Sequence, residues 1–173
     1  VSSADLASNA AADADTLILV DEQDNEVGAL GTVDCHLGDG ILHRAFSVFL
    51  FSPEGELLIQ QRSPEKMLWG GYWANSCCSH PVGDESMDAA AARRVREELG
   101  LDAELTHIHS YEYAATFGDV GTEHEVVGVY LGSVDMSALR VDPTEVSEVR
   151  TFTVEALDEA IEDEDAFTPW FRI

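Results

Sequence analysis

The run Asn75-Ser76-Cys77-Cys78-Ser79-His80-Pro81 sets a thiol two residues from an imidazole. It reads as an active site, because a reactive cysteine needs a polar, partly open setting, whereas a cysteine among apolar neighbours is an inert small core residue. After a Pro-Val-Gly break come Glu85, Arg93, Arg94, Glu97 and Glu98, in a helical register that ends at Gly100. Carboxylates and guanidinium groups gathered on one helix suit a divalent cation and phosphate oxygens better than a core.

These groups need a scaffold, and the flanking patterns supply one. Thr16-Leu17-Ile18-Leu19-Val20 reads as a strand, with Asp21 to Glu26 as the turn after it. Residues His43 to Ser52 are rich in β-formers, Pro53-Glu54-Gly55-Glu56 is a turn, and Leu57 to Arg62 returns as a strand, which together predict a hairpin. Met87 to Leu99 is Ala-rich with acid at its start, a helix whose C-cap is Gly100. Further strands are expected at His107 to Tyr113, Glu125 to Leu131 and Val146 to Phe152, and a last helix at Val154 to Glu162. Strands interleaved with two good helices predict an α/β (α+β) fold, a mixed sheet with helices packed on its faces. Residues 1–15 are small, Ala/Ser/Asp-rich and aperiodic, and read as a mobile arm before a single domain over 16–173.

At 173 residues the chain can bury a real core in one domain without disulfides. Nine basic residues against 34 acidic ones give a net charge of −25, which argues against a nucleic-acid or anionic-membrane surface. The acid is spread throughout, and Lys66 is the only lysine. High acid with almost no lysine is similar to proteins of salt-accumulating cytoplasms, where strong salt screens the self-repulsion. Cys35, Cys77 and Cys78 cannot all pair within the chain, so no disulfide framework is expected. No apolar run approaches the roughly 20 residues of a membrane span, and no basic-then-apolar leader is seen. The expectation is a soluble, cytoplasmic monomer.

The stretch from Ser79 to Leu101 resembles the Nudix signature: Gly, five residues, Glu, seven residues, Arg-Glu, apolar, any, Glu-Glu, any, Gly, apolar. Glu85, Arg93, Val95, Glu97, Glu98, Gly100 and Leu101 fit, while Ser79 replaces the first Gly and Arg94 replaces a Glu. Hydrolases of this superfamily use the Arg-Glu pair and clustered carboxylates to cleave diphosphates. A guanidinium at position 94 would clamp a diphosphate instead. With Cys78 and His80, the chain resembles the type I isopentenyl-diphosphate isomerases, Nudix-fold enzymes that move a double bond and leave the diphosphate intact. The resemblance covers Thr16 to Phe171.

It implies a metal site of His36, His43, His80, Glu123 and Glu125, holding one divalent ion, Mn²⁺, Zn²⁺ or Mg²⁺. Alternate positions on a strand share a face, so Glu123 and Glu125 can reach one ion, and the imidazoles favour a transition metal. It implies a second site, Mg²⁺ bound with substrate diphosphate at Glu98, and diphosphate contacts from Arg62, Lys66 and Arg94. Where some relatives carry a basic residue four places before the first metal histidine, this chain has Thr32. The resemblance leaves His107, His109 and His124 without a task. Cys78 and Glu125 would handle protons on opposite faces of the alkene, with Tyr113 as relay and Trp170 offering its ring face to a carbocation. The substrates implied are isopentenyl and dimethylallyl diphosphate. Two other readings stand beside this one: a Nudix diphosphohydrolase, and a metal-binding acidic protein without catalysis, which would leave Cys78, Tyr113 and Trp170 idle.

Overall fold

A computed structural model describes residues 16–163 and 165–173. The arm expected over residues 1–15 lies outside these. Strand β1 (Thr16–Val20) forms a hairpin with β2 (Glu26–Gly31). Its turn is held by Asp21, whose Oδ1 accepts the backbone N–H groups of Gln23 and Asn25 at 2.9 Å each. A short helix α1 (Thr32–His36) follows; neither β2 nor α1 carries a strong sequence pattern.

Strand β3 (His43–Phe51) is the centre of the sheet. It pairs in parallel with β8 (Gly121–Ser133) along its whole length, from His43 opposite Glu125 to Phe51 opposite Ser133. The hairpin expected between β3 and β4 (Leu57–Arg62) is joined only near its turn, at Leu50/Leu58 and Phe51/Leu57. Beyond that point β4 parts from β3 and gains β5 (Trp73–Ala74) as a neighbour, while β9 (Val146–Phe152) pairs with it along its whole length. The backbone groups exposed by this parting are buried and must find partners. Two polar side chains supply them. Ser76 Oγ accepts from Leu50 N at 2.8 Å and donates to the Leu58 carbonyl at 2.5 Å. Asn75 Nδ2 donates to the carbonyls of Val48 at 3.1 Å and Cys77 at 2.7 Å. This bridge lays β6 (Cys77–Ser79) against β3, with Cys77 opposite Val48 and Cys78 opposite Ser47.

Helix α2 (Met87–Leu99) has the limits expected from the sequence. Ser86 Oγ caps Ala89 N at 3.3 Å, and Gly100, at φ 66°, turns the chain in the left-handed region that only glycine enters without cost. Ala90, Ala91, Val95 and Leu99 are buried and pack against Val48, Leu50 and Tyr130 on one face of the sheet. Strands β7 (Leu105–Phe117) and β8 run further than expected, pairing from Leu105/Gly132 to Phe117/Gly121. Alanine and glycine at their ends have low β-propensity, and cross-strand pairing overrides it. The last helix, α3 (Val154–Ala160), frays before Glu162. A second aromatic core joins Trp73, Phe167 and Phe171 under α3. Gly121 lies under α1: a side chain there would collide with the His36 carbonyl, so glycine lets α1 sit on β8. No helix among the described residues is long and apolar enough to cross a membrane.

Candidate active site

Four elements bring five ligand-type side chains together. His36 ends α1, His43 opens β3, His80 follows β6, and Glu123 and Glu125 stand on one face of β8. One ligand atom from each lies within 4.8 Å of all the others. His36 Nε2 is 2.8 Å from Glu123 Oε2, and Glu125 Oε1 is 2.8 Å from His80 Nε2 and 3.5 Å from His43 Nε2. The outer nitrogens are fixed from behind: His36 Nδ1 lies 2.6 Å from the Thr32 carbonyl and His43 Nδ1 2.7 Å from that of Ile41. A carbonyl can only accept, so these Nδ1 atoms carry the protons and both Nε2 lone pairs face the cluster. Thr32 thus supplies a backbone oxygen to the site.

The donor set fits a metal ion. The buried His36 Nε2 and Glu123 Oε2 have only each other as partners, at 2.8 Å, and the Nε2 atoms of His43 and His80 face each other at 3.2 Å. Lone pairs and carboxylate oxygens aimed at one buried point are costly unless a cation neutralises them. Burial pulls the His36 pKa down, but Glu123 outweighs it and leaves it above the usual value; burial holds His80 below it. For Glu125, burial pushes up and the adjacent His43 and His80 imidazoles outweigh it, keeping the carboxylate well below its ordinary range.

A cavity of about 650 Å³ opens beside the cluster, and Cys78, Tyr113, Glu125 and Trp170 line it. Adjacent residues on β6 point to opposite faces. Cys77 is therefore sealed in the core at 0% exposure, while Cys78 faces the cavity. Burial pushes the Cys78 thiol up to about 11, opposed by the Arg62 guanidinium, whose Nη1 lies 3.5 Å from Sγ. Tyr113 donates to Glu125 Oε2 at 2.7 Å, leaving Oε1 to the histidines. Burial and then Glu125 raise the Tyr113 pKa well above normal, so its hydroxyl stays protonated. Trp170, from the C-terminal Pro169–Phe171 turn, packs edge-on to Trp69 at 5.2 Å and lies 5.3 Å from the Arg62 guanidinium.

Lys66, Arg94 and Arg62 converge on the same cavity. Glu98 does not line it. It is buried behind Arg94, taking one bond from Arg94 Nη2 at 2.6 Å and one from Gln60 Nε2 at 3.1 Å. Glu145, in the turn before β9, carries no sequence signal, yet it pairs with both Lys66 and Arg94. His107 and His124 bond to Ser110 and Glu112, and His109 stacks on Tyr111; none of the three is in the cluster.

The NUDIX domain family matches residues 41–171. Isopentenyl-diphosphate Delta-isomerase 1 of Photorhabdus laumondii is 40% identical over 161 residues, 91% of each chain. The chain belongs to this isomerase family of the Nudix superfamily. Isopentenyl-diphosphate Delta-isomerase of Nocardia farcinica is 42% identical, covering 88% of this chain and 87% of its own. The bovine isopentenyl-diphosphate Delta-isomerase 1 is 40% identical, covering 92% and 80%. Among solved structures, a Deinococcus radiodurans protein superposes with a TM-score of 0.71 over 88% of this chain and 92% of its own. A MutT protein from Methanosarcina mazei gives 0.62 over 76% and 88%. At 24% and 20% identity these two show the fold alone.

Proposed function

We propose that the protein interconverts isopentenyl diphosphate and dimethylallyl diphosphate by moving one proton onto the substrate and another off it. The observation that carries this reading is a cavity with a thiol and a metal-type carboxylate in its walls, rimmed by Lys66 and Arg94. Isopentenyl diphosphate has an unactivated alkene. Protonation at C4 puts a tertiary cation at C3, and loss of a C2 proton then closes the new double bond, with no net change in atoms or charge.

Cys78, protonated at neutral pH, and the Tyr113–Glu125 pair are the two proton-handling groups. A divalent ion held by His36, His43, His80, Glu123 and Glu125 would supply positive charge that sets the acidity of the Glu125–Tyr113 pair. Trp170 offers its ring face to the cation, worth about 0.5–2 kcal/mol, and with Trp69, Leu68 and Tyr113 excludes the water that would trap it. Lys66, Arg94 and Arg62 would bind the diphosphate; a Mg²⁺ ion arriving with it would be held at Glu98 only once Arg94, which now covers that carboxylate at 2.6 Å, turns to the phosphate oxygens.

Cleavage of the diphosphate is the competing chemistry. Each signature carboxylate is already neutralised by an arginine: Glu85 by Arg93 at 2.6 Å, Glu97 by both arginines, Glu98 by Arg94. That favours isomerisation over water activation. Incubation with isopentenyl diphosphate, Mg²⁺ and Mn²⁺ decides: dimethylallyl diphosphate as the product supports the reading, whereas released phosphate or no turnover refutes it.

A further inference from the structure

Glu145 lies against the two cations, Lys66 and Arg94, to which the diphosphate is assigned above. It bonds Lys66 Nζ through Oε2, and the same oxygen lies 3.2 Å from Arg94 Nη2. Its side chain is 23% exposed and lines the cavity, so it sits on the substrate side of both cations. Arg94 meanwhile holds Glu98, which is buried behind it. Two cations and two carboxylates make a neutral quartet, which has little attraction for an incoming anion.

We infer that Glu145 is an internal stand-in for the substrate diphosphate, a carboxylate that holds Lys66 and Arg94 in the free enzyme and must release both when substrate binds. This rests on the diphosphate-binding role proposed above for those two residues. The backbone makes the release a side-chain rotation and not a loop movement. Glu145 O accepts from Ser63 N at 2.9 Å, and Glu145 N donates to Asp142 O at 3.1 Å. Asp142 N in turn donates to Glu98 O at 2.8 Å, so the turn is tied to β4's exit and to α2. Only the carboxylate is free to leave, and its partial exposure gives it water to leave into.

The ion pairs have two consequences. They keep Lys66 and Arg94 pre-positioned without substrate, which lowers the ordering cost of binding. They also subtract their own strength from the affinity for any anion, because a cation that turns to phosphate must first let go of Glu145.

The test is calorimetric titration of inorganic pyrophosphate into the metal-loaded protein at fixed free Mg²⁺, comparing wild type with Glu145→Gln. The amide keeps the shape and removes the charge. Pyrophosphate should bind the variant on the order of tenfold tighter, the loss of one charge-assisted bond. In a Lys66→Ala background the same substitution should have a clearly smaller effect. Unchanged affinity in Glu145→Gln, or weaker affinity as expected of a Mg²⁺ ligand, overturns the inference. Failure of the wild type to bind pyrophosphate would instead remove the diphosphate-site reading on which it rests.

Discussion

Replacing each of the adjacent cysteines by alanine separates chemistry from packing within one strand. Cys77 is fully buried, opposite Val48, in the core cluster with Leu50, Leu99 and Tyr130. Removing its sulfur leaves a small cavity, costing about 1–2 kcal/mol, at the low end of large-to-small core substitutions. For a domain of this size each kcal/mol lowers Tm by about 2–4 °C, so Cys77→Ala should melt roughly 2–8 °C below wild type and retain most of its turnover. Cys78 touches cavity space on one side, and its polar neighbour is Arg62 Nη1. Its removal takes little packing, so Cys78→Ala should melt close to wild type. General acid–base groups contribute about 10²–10⁴-fold, and the rate should fall by at least that. The assay is conversion of labelled isopentenyl diphosphate well below both melting points, with Tm measured on the same samples. Equal rate losses in the two variants, or a larger loss in Cys77→Ala, would refute the assignment.

Three further outcomes are expected from the geometry. Because His43 is wholly buried with Nδ1 tied to Ile41, His43→Ala should lose the bound metal on dialysis, and a full metal complement by elemental analysis would contradict the site. Glu85, held below its usual 4.5 chiefly by Arg93, gives a pH-dependent contribution. A lowered carboxylate pKa adds stability above the unfolded value and loses it as pH falls through the folded one. Glu85→Gln should therefore lower Tm at pH 7, with the gap closing below about pH 4.5; a gap that persists in acid would deny the ion pair. Finally, the net charge of −25 predicts that Tm rises from dilute buffer to molar salt as repulsion is screened; a flat profile would show that the acidic surface is no adaptation to salt.

Much of the scaffold is readable from local pattern. Helix α2 could be bounded to the residue because its acidic start and Gly100 mark its ends, and β1 and the first half of β4 are short apolar runs next to turn residues. What local pattern cannot show is where strands go after they leave a turn. The parting of β3 from β4 depends on Asn75 and Ser76 filling the gap, and in sequence they are two unremarkable polar residues before a cysteine. Glu145 was hidden for the same reason, since its partners lie 79 residues away at Lys66 and on α2 at Arg94. The five cluster residues could be named through family resemblance, but the hold of Thr32 and Ile41 on the imidazoles could not, because it runs through backbone carbonyls that no side-chain pattern encodes.

Arginine at position 94 links these levels. A glutamate there would leave Glu97, Glu98 and Glu145 crowded around a fourth carboxylate, and like charges at that range can share a site only around metal ions. Arginine reverses the sign: its guanidinium reaches Glu97, Glu98 and Glu145 at 2.9, 2.6 and 3.2 Å, so the helix no longer needs a cation to hold its own acids. The cluster of metal-type ligands lies instead on α1, β3 and β8 and just after β6, beside the apolar end of the cavity where the alkene would react. One arginine in the signature helix thus leaves the phosphate end with fixed cations suited to holding a diphosphate, and under the function proposed here proton chemistry would fall to Cys78 and Glu125.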